Sequence, residues 1–307
     1  MGLGWRMAFR SLKILAAALL APPRAVLSFR AGTGPHRSLG TTGAAPKMMA
    51  AEAAGLQVVT LDATGTFMQL KEDTGRQYLD VLETHLEDPD VALRGVTADG
   101  VAAAFMAGIR ERCKTLPCFG AGVMSSEDWW KGVVTEAFVG AGVSEEVLDP
   151  VIDSVFDELF HEVFTGEQGW ELVPGARNVL EDLKAWRNGG GPRALGVVSN
   201  FDERLHPLLR TLGVHDAFDF IITSREAGVE KPSPRIFSKA LAHAGLGEGS
   251  AGVHVGDTWK NDVVGARAAG WKAVLIATGE PTEQEREVEH VRVERFTDVP
   301  SVLRMVG

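Results

Sequence analysis

From residue 55 onward, short β-branched apolar runs alternate with stretches whose apolar residues recur every three or four positions. The first kind predicts strands at 56–61 (LQVVTL), 193–199 (RALGVVS), 218–223 (FDFIIT), 251–256 (AGVHVG) and 272–277 (KAVLIA). The second kind predicts helices at 176–187, 204–213, 234–245 and 262–270. Strand and helix in turn make a βαβ series, so the expected class is α/β, a Rossmann-like parallel sheet covered by helices.

One interval departs from that rhythm. Between the first two strands the chain reads as helical, in TGRQYLDVLETHL, GVAAAFMAGIRERC and VLDPVIDSVFDELFHEVF. The last of these sets Val151, Val155, Leu159 and Val163 at helical spacing. The expected organisation is therefore a core domain of residues 55–72 and 173–307, with a separate helical module of residues 73–172 inserted after the first strand. Pro and Gly punctuate its exits at KEDTG and WELVPGA.

Composition narrows the picture. A chain of 307 residues, 45% hydrophobic and 23% charged, is long and apolar enough for a sizeable core. Its net charge of −10 lacks the basic footprint of a phosphate-backbone binder, so no nucleic acid partner is expected. Residues 1–51 hold seven of the 31 Lys and Arg and none of the 41 Asp and Glu. They read as a targeting or transit segment for the mitochondrion or chloroplast, or as a disordered leader. A secretory signal at Ile14 to Ala21 is the alternative, and KMM at Lys47 to Met49 allows an internal start that would give a cytoplasmic form. The apolar stretch ILAAALLAPP is too short to span a bilayer, so no stable membrane insertion is expected. Cys113 and Cys118 are too few for a disulfide framework, and the eight histidines form no ligand pair.

Functional side chains of an open α/β sheet collect beyond the carboxyl ends of its strands. Those positions hold Asp62 after the first strand, Ser199 and Asn200 after the second, and Asp257 after the fourth. Lys231 follows the third at a helix entrance, and Asp262 lies just beyond Asp257. Carboxylates, a hydroxyl and an ammonium at one edge suit phosphoryl transfer. Mg²⁺ takes carboxylate oxygens and bridges to phosphate, a carboxylate can attack phosphorus, and the lysine and hydroxyl hold the phosphate oxygens. Taken singly, the same residues have plainer roles. Asp62 or Asp262 could cap a helix or turn, Lys231 could be a solvated loop charge, and Trp259 could pack on the surface. Arg110, Arg112, Lys114 and Lys131 read as a solvated helix face, and Trp129 and Trp130 as core.

Taken together, LDATGT, VVSN, EKPSPRIF and HVGDTWKND resemble, in order, the four motifs of the haloacid-dehalogenase-like hydrolase superfamily. The resemblance runs from about residue 56 to 280, and SNFDERLHPLLRTLG and VHVGDTWKNDVVGARAAG look especially like a eukaryotic branch of it. It implies that Asp62 is the nucleophile and a Mg²⁺ ligand, that Thr64 lends a backbone carbonyl to the metal, and that Asp257 and Asp262 complete the metal site. Ser199, Asn200 and Lys231 become phosphate-binding groups, and the insertion takes the place of the family's cap, which closes over the site and selects a small phosphorylated metabolite. Thr64 is the departure, because most family phosphatases carry an acid–base aspartate there, a proton transfer that contributes about 10² to 10⁴-fold. P-type ATPases, distant relatives, also have threonine there, so aspartyl-phosphate chemistry survives without it. Two alternatives stay open: a catalytically weak binding or regulatory protein, and a metal-independent 2-haloacid dehalogenase, which would lack the paired acids kept here as Asp257 and Asp262.

Overall fold

The computed structural model describes residues 55–306, so the leader and the internal start at Met49 lie outside the described residues. The strands among the described residues are β1 (Val58–Leu61), β2 (Met68–Leu70), β3 (Trp170–Leu172), β4 (Ala194–Ser199), β5 (Phe220–Thr223), β6 (Gly252–Gly256), β7 (Lys272–Ile276) and β8 (Val291–Val293). Six form one sheet in the order β5-β4-β1-β6-β7-β8, and every adjacent pair in it is parallel. β1 and β4 are buried at every position, as expected of strands covered on both faces. The expected strands all form, trimmed by no more than two residues at an end. β8, three residues set among charges, and the short antiparallel pair β2–β3 go beyond them.

Two apolar layers cover the sheet. On one face, Val59, Leu61, Val197 and Val255 pack with α5 (Ala176–Asn188), α6 (Leu205–Thr211) and α8 (Val299–Val306). On the other, Val58, Val198 and Leu275 pack with α7 (Pro234–His243) and with Val263 and Ala266. The chain leaves β1 toward β4 on one side and returns to β6 on the other. The strand order therefore reverses between β1 and β6, the place where open α/β sheets hold their ligands.

The residues between β2 and β3 make a helical unit with its own core. α1 (Thr74–Thr84), α2 (Ala98–Thr115), α3 (Ser126–Gly140) and α4 (Ile152–Asp157) bury Leu82, Val101, Trp129, Val133, Phe138 and Phe156 among themselves. Side chains of Asp73, Thr97 and Ser125 accept from backbone N–H groups at the starts of α1, α2 and α3. The expected helix over 147–164 forms in pieces: α4 begins beyond Pro150 and runs into a π-helical turn at Glu158–Glu162. Among the described residues, no helix is long and apolar enough to cross a membrane.

Candidate active site

Asp62 leaves β1 beside β6, its N–H donating to Val255 O at 2.8 Å. The turn after it is held by Gly65, whose φ of 80° favours glycine. A Cβ there would lie 2.7 Å from Cγ of Asp257, so the missing side chain also admits that carboxylate. Gly256 plays the same part at the end of β6, where a Cβ would lie 2.6 Å from Cβ of Asp262. Beyond it the chain winds a π-helix, Trp259–Val264, in place of the first turns of the expected α-helix over 262–270. Asp262 accepts from Thr258 N at 2.8 Å with its second oxygen, and so braces this turn as well as facing the site. Asp62, Asp257 and Asp262 each offer a carboxylate oxygen, all within 4.8 Å of one another.

Lys231 lies among them. Its Nζ donates to Asp62 Oδ1 at 2.8 Å and to Asp262 Oδ1 at 2.6 Å, and the residue is 2% exposed. It is a buried ion-pair partner and not a solvated loop charge. Burial alone would pull its ammonium down, but the charges of Asp262 and Asp62 outweigh that and hold it above the usual lysine range. Asp262 is likewise held well below the usual carboxylate range, because Lys231 and His254 overcome its burial. Asp257 goes the other way: desolvation, and then the charges of Asp262 and Asp62, push it up to about 8.

The two remaining strand-end residues divide the work. Ser199, buried at the end of β4, lines the same cavity as the three acids. Asn200 also lines it, while its amide donates to Lys231 O at 2.9 Å and accepts from Lys231 N at 2.8 Å. Asn200 thus fixes the backbone that carries the ammonium. Thr64 lines the cavity from the β1 turn.

His254 was given no role by spacing, yet it sits fully buried in β6, 3.1 Å from Asp262 Oδ1 and 2.8 Å from Thr60 Oγ1. Burial and then Lys231 lower its pKa, so it is neutral. Nε2 lies 3.1 Å from Asp262, which is ionised and can only accept, and farther, 3.5 Å, from Lys231 Nζ, so the shorter contact assigns the ring proton to Nε2 and leaves Nδ1 to accept from Thr60. The other addition is an Asp202–Arg204 pair after β4, both buried: Arg204 Nε donates to Oδ1 at 2.9 Å and its second nitrogen to Oδ2 at 2.7 Å. Trp130 Nε1, from the helical unit, donates to the same Asp202 Oδ2 at 2.6 Å. Trp130 therefore lines the cavity instead of serving only as core. Arg112 pairs with Glu136, Lys114 with Glu111 and Lys131 with Asp153 on the surface, as a solvated face should. Trp259 stacks edge-on against His290, 5.1 Å between ring centres, away from the cavity.

Comparison with known proteins agrees with this architecture. A family model described as haloacid dehalogenase-like hydrolase matches residues 56–270. Haloacid dehalogenase-like hydrolase domain-containing protein 3 of Bos taurus is 33% identical over 230 residues, which are 74% of this chain and 84% of that protein. Glyceraldehyde 3-phosphate phosphatase of Methanothermobacter thermautotrophicus is 40% identical over 116 residues, 37% of this chain and 48% of that one. The crystal structure of a 2-haloacid dehalogenase from Pseudomonas syringae pv. Tomato DC3000 covers 82% of this chain and 100% of its own, with a TM-score of 0.55 at 22% identity, a likeness of fold. With the strand order, the four motifs and these relatives in agreement, the chain belongs to the haloacid dehalogenase-like hydrolase family.

Proposed function

We propose that the protein is a Mg²⁺-dependent phosphomonoester hydrolase that works through an aspartyl-phosphate on Asp62. The observation that carries this reading is the cluster of Asp62, Asp257 and Asp262 around Lys231 at the switch point of the sheet. Even with Asp257 protonated, two acids against one ammonium leave negative charge to be balanced by a cation. Mg²⁺ holds oxygens at about 2.1 Å, so ligands on opposite sides of it lie about 4.2 Å apart. A trio within 4.8 Å fits that ion with small adjustment. Asp62, Asp257, Asp262 and the Thr64 carbonyl would hold it, and when bound it offsets the charge of the phosphate.

A carboxylate oxygen of Asp62 attacks phosphorus, the P–O bond to the leaving group breaks, and the leaving oxygen departs with its electron pair. Lys231 and Ser199 hold the equatorial oxygens, and Asn200 keeps Lys231 in place. Water then attacks the aspartyl-phosphate, which frees phosphate and restores Asp62. Thr64 is too weak an acid to protonate the leaving group and too weak a base to activate that water. Both steps run without the assistance an aspartate would supply. The helical unit of residues 73–172 acts as the cap that covers the site. A phosphatase among the relatives, similar over a third of the chain, supports the same reading.

The test is phosphate release from a panel of phosphomonoesters with Mg²⁺, with chelator, and with Asp62→Asn. Activity that chelator removes and the variant lacks is expected. A panel with no turnover under any divalent cation overturns it, and chelator-insensitive chloride release from 2-chloropropionate would point to dehalogenation.

A further inference from the structure

The cavity that opens over the carboxylates is walled by rings. Trp130 lies near-parallel to Phe119, 5.8 Å between centres, and to Phe105 at 6.3 Å. The guanidinium of Arg204 sits 4.0 Å above the ring of Phe160 and 5.0 Å from that of Trp130. Trp130 cannot turn away, because its N–H is tied to Asp202. Arg204 directs two of its nitrogens to the same Asp202, so this cation is balanced within the wall. Among the described residues lining the cavity, Lys231 is the other cation, and it belongs to the phosphate end. The wall thus offers a fixed aromatic slot and little to receive a polyol or a second anion.

Size agrees with a ring. The cavity volume, its carboxylate end included, is about 140 Å³, close to that of an apolar cavity of about 150 Å³ that accepts benzene, so beyond the phosphate end there is room for no more than one small ring. Thr64 agrees on independent grounds. A phenol ionises near about 10, so a phenolate leaves without help. An aliphatic alkoxide resembles hydroxide, whose parent acid, water, ionises near about 15.7, and it calls for the acid that position 64 lacks.

We propose that the substrate is an aryl phosphomonoester, a phosphate borne directly on an aromatic or similarly planar ring, seated against Phe119, Trp130 and Phe160. The inference rests on the phosphatase reading for its chemistry and on the ring wall for its selectivity. Attack by Asp62 forms the O–P bond as the aryl O–P bond breaks. The aryloxide takes a proton from solvent, and water later returns the phosphoryl group as inorganic phosphate.

The experiment compares two non-hydrolysable probes, benzylphosphonate and propylphosphonate, titrated onto the Mg²⁺-loaded protein by calorimetry and tryptophan fluorescence. Phosphate release from phenyl phosphate and from propyl phosphate is measured beside them. Benzylphosphonate is expected to bind at least tenfold tighter and to quench fluorescence. Phe160→Ala and Phe119→Leu should each shrink that preference while leaving the affinity for propylphosphonate within about twofold. Equal binding of the two probes overturns the aryl inference, and phosphate release in the same samples would leave the phosphatase reading standing. Ring-selective binding with no phosphate release from either ester keeps the slot and overturns the phosphatase reading. If neither probe binds, both fall.

Discussion

Nζ of Lys231 lies 2.8 Å from Oδ1 of Asp62, and the pair is closed off from solvent on the lysine side. Removing the ammonium leaves Asp62 and Asp262 facing each other with no counter-charge. Lys231→Ala in chelator is therefore expected to lose about 3 kcal/mol of stability, or roughly 6–12 °C in melting temperature for a chain of this size. Added Mg²⁺ brings positive charge to the same carboxylates, so it should restore a larger part of the melting temperature in the variant than it adds to the wild type. Thermal melts with and without Mg²⁺ measure both. A variant as stable as wild type in chelator would mean that the lysine does not balance these acids.

Thr64 has a kinetic signature. With an aryl substrate the first step needs no acid, whereas hydrolysis of the aspartyl-phosphate still lacks a base. Phenol should be released in a burst of up to one equivalent per protein, followed by a slow steady state. Thr64→Asp supplies the missing group, so it should raise kcat by up to about 10² to 10⁴-fold and flatten the burst. Rapid-quench phenol release reads both phases. An unchanged steady-state rate in the variant would show that proton transfer at position 64 does not limit turnover.

Most parts of the site that were legible in the sequence share one property: they sit where a strand ends, with Lys231 and Asp262 a few residues farther on. Asp62, Ser199 and Asp257 follow apolar runs whose limits are marked by composition, and a parallel sheet brings such ends to one edge. His254 was hidden because its meaning lies in register. It stands opposite Thr60 across the β1–β6 pairing, and nothing local in AGVHVG states which neighbour it will meet. The Asp202–Arg204 pair was hidden for a different reason. Charges in a polar loop read as solvated until Trp130 and Phe160, from a distant helical unit, close over them. β2 and β3 escaped because strands of three residues carry too little alternation to register, and their pairing depends on contacts 102 residues apart, as between Gln69 and Glu171.

Gly65 makes a sharper test of the proposed metal site than any of its three acids does, since it contributes no ligating side chain. Alanine at φ 80° carries a backbone penalty of about 1–2 kcal/mol. Its methyl group would also enter the space of Asp257, 2.7 Å from Cγ. Gly65→Ala is expected to fold, to melt a few degrees lower, and to bind Mg²⁺ about 10 to 100-fold more weakly, the usual range for changes that misplace a ligand. The Mg²⁺ dependence of the melting temperature reports that affinity without any substrate. Undiminished Mg²⁺ affinity in a folded variant would remove Asp257 from the metal site.

Cys113 and Cys118 give the helical unit a prediction of its own. Burial, and then the nearby Glu230 carboxylate, push each thiol up to about 12. An ordinary thiol ionises near about 8.5, so both hold their protons more tightly in the folded chain than in the unfolded one. The stability this contributes is complete below pH about 8.5 and declines as pH rises from there toward about 12. Two measurements follow. At pH 8 the native protein should react with iodoacetamide far more slowly than it does in denaturant, because the reactive thiolate is scarce. Between pH 8.5 and 10 the melting temperature should fall, and the double variant Cys113→Ser, Cys118→Ser should fall less steeply over the same interval. Fast native alkylation of Cys118 at pH 8 would mean that the contact between its segment and Glu230, with Cys118 N donating to Glu230 Oε2 at 3.4 Å, opens readily in solution.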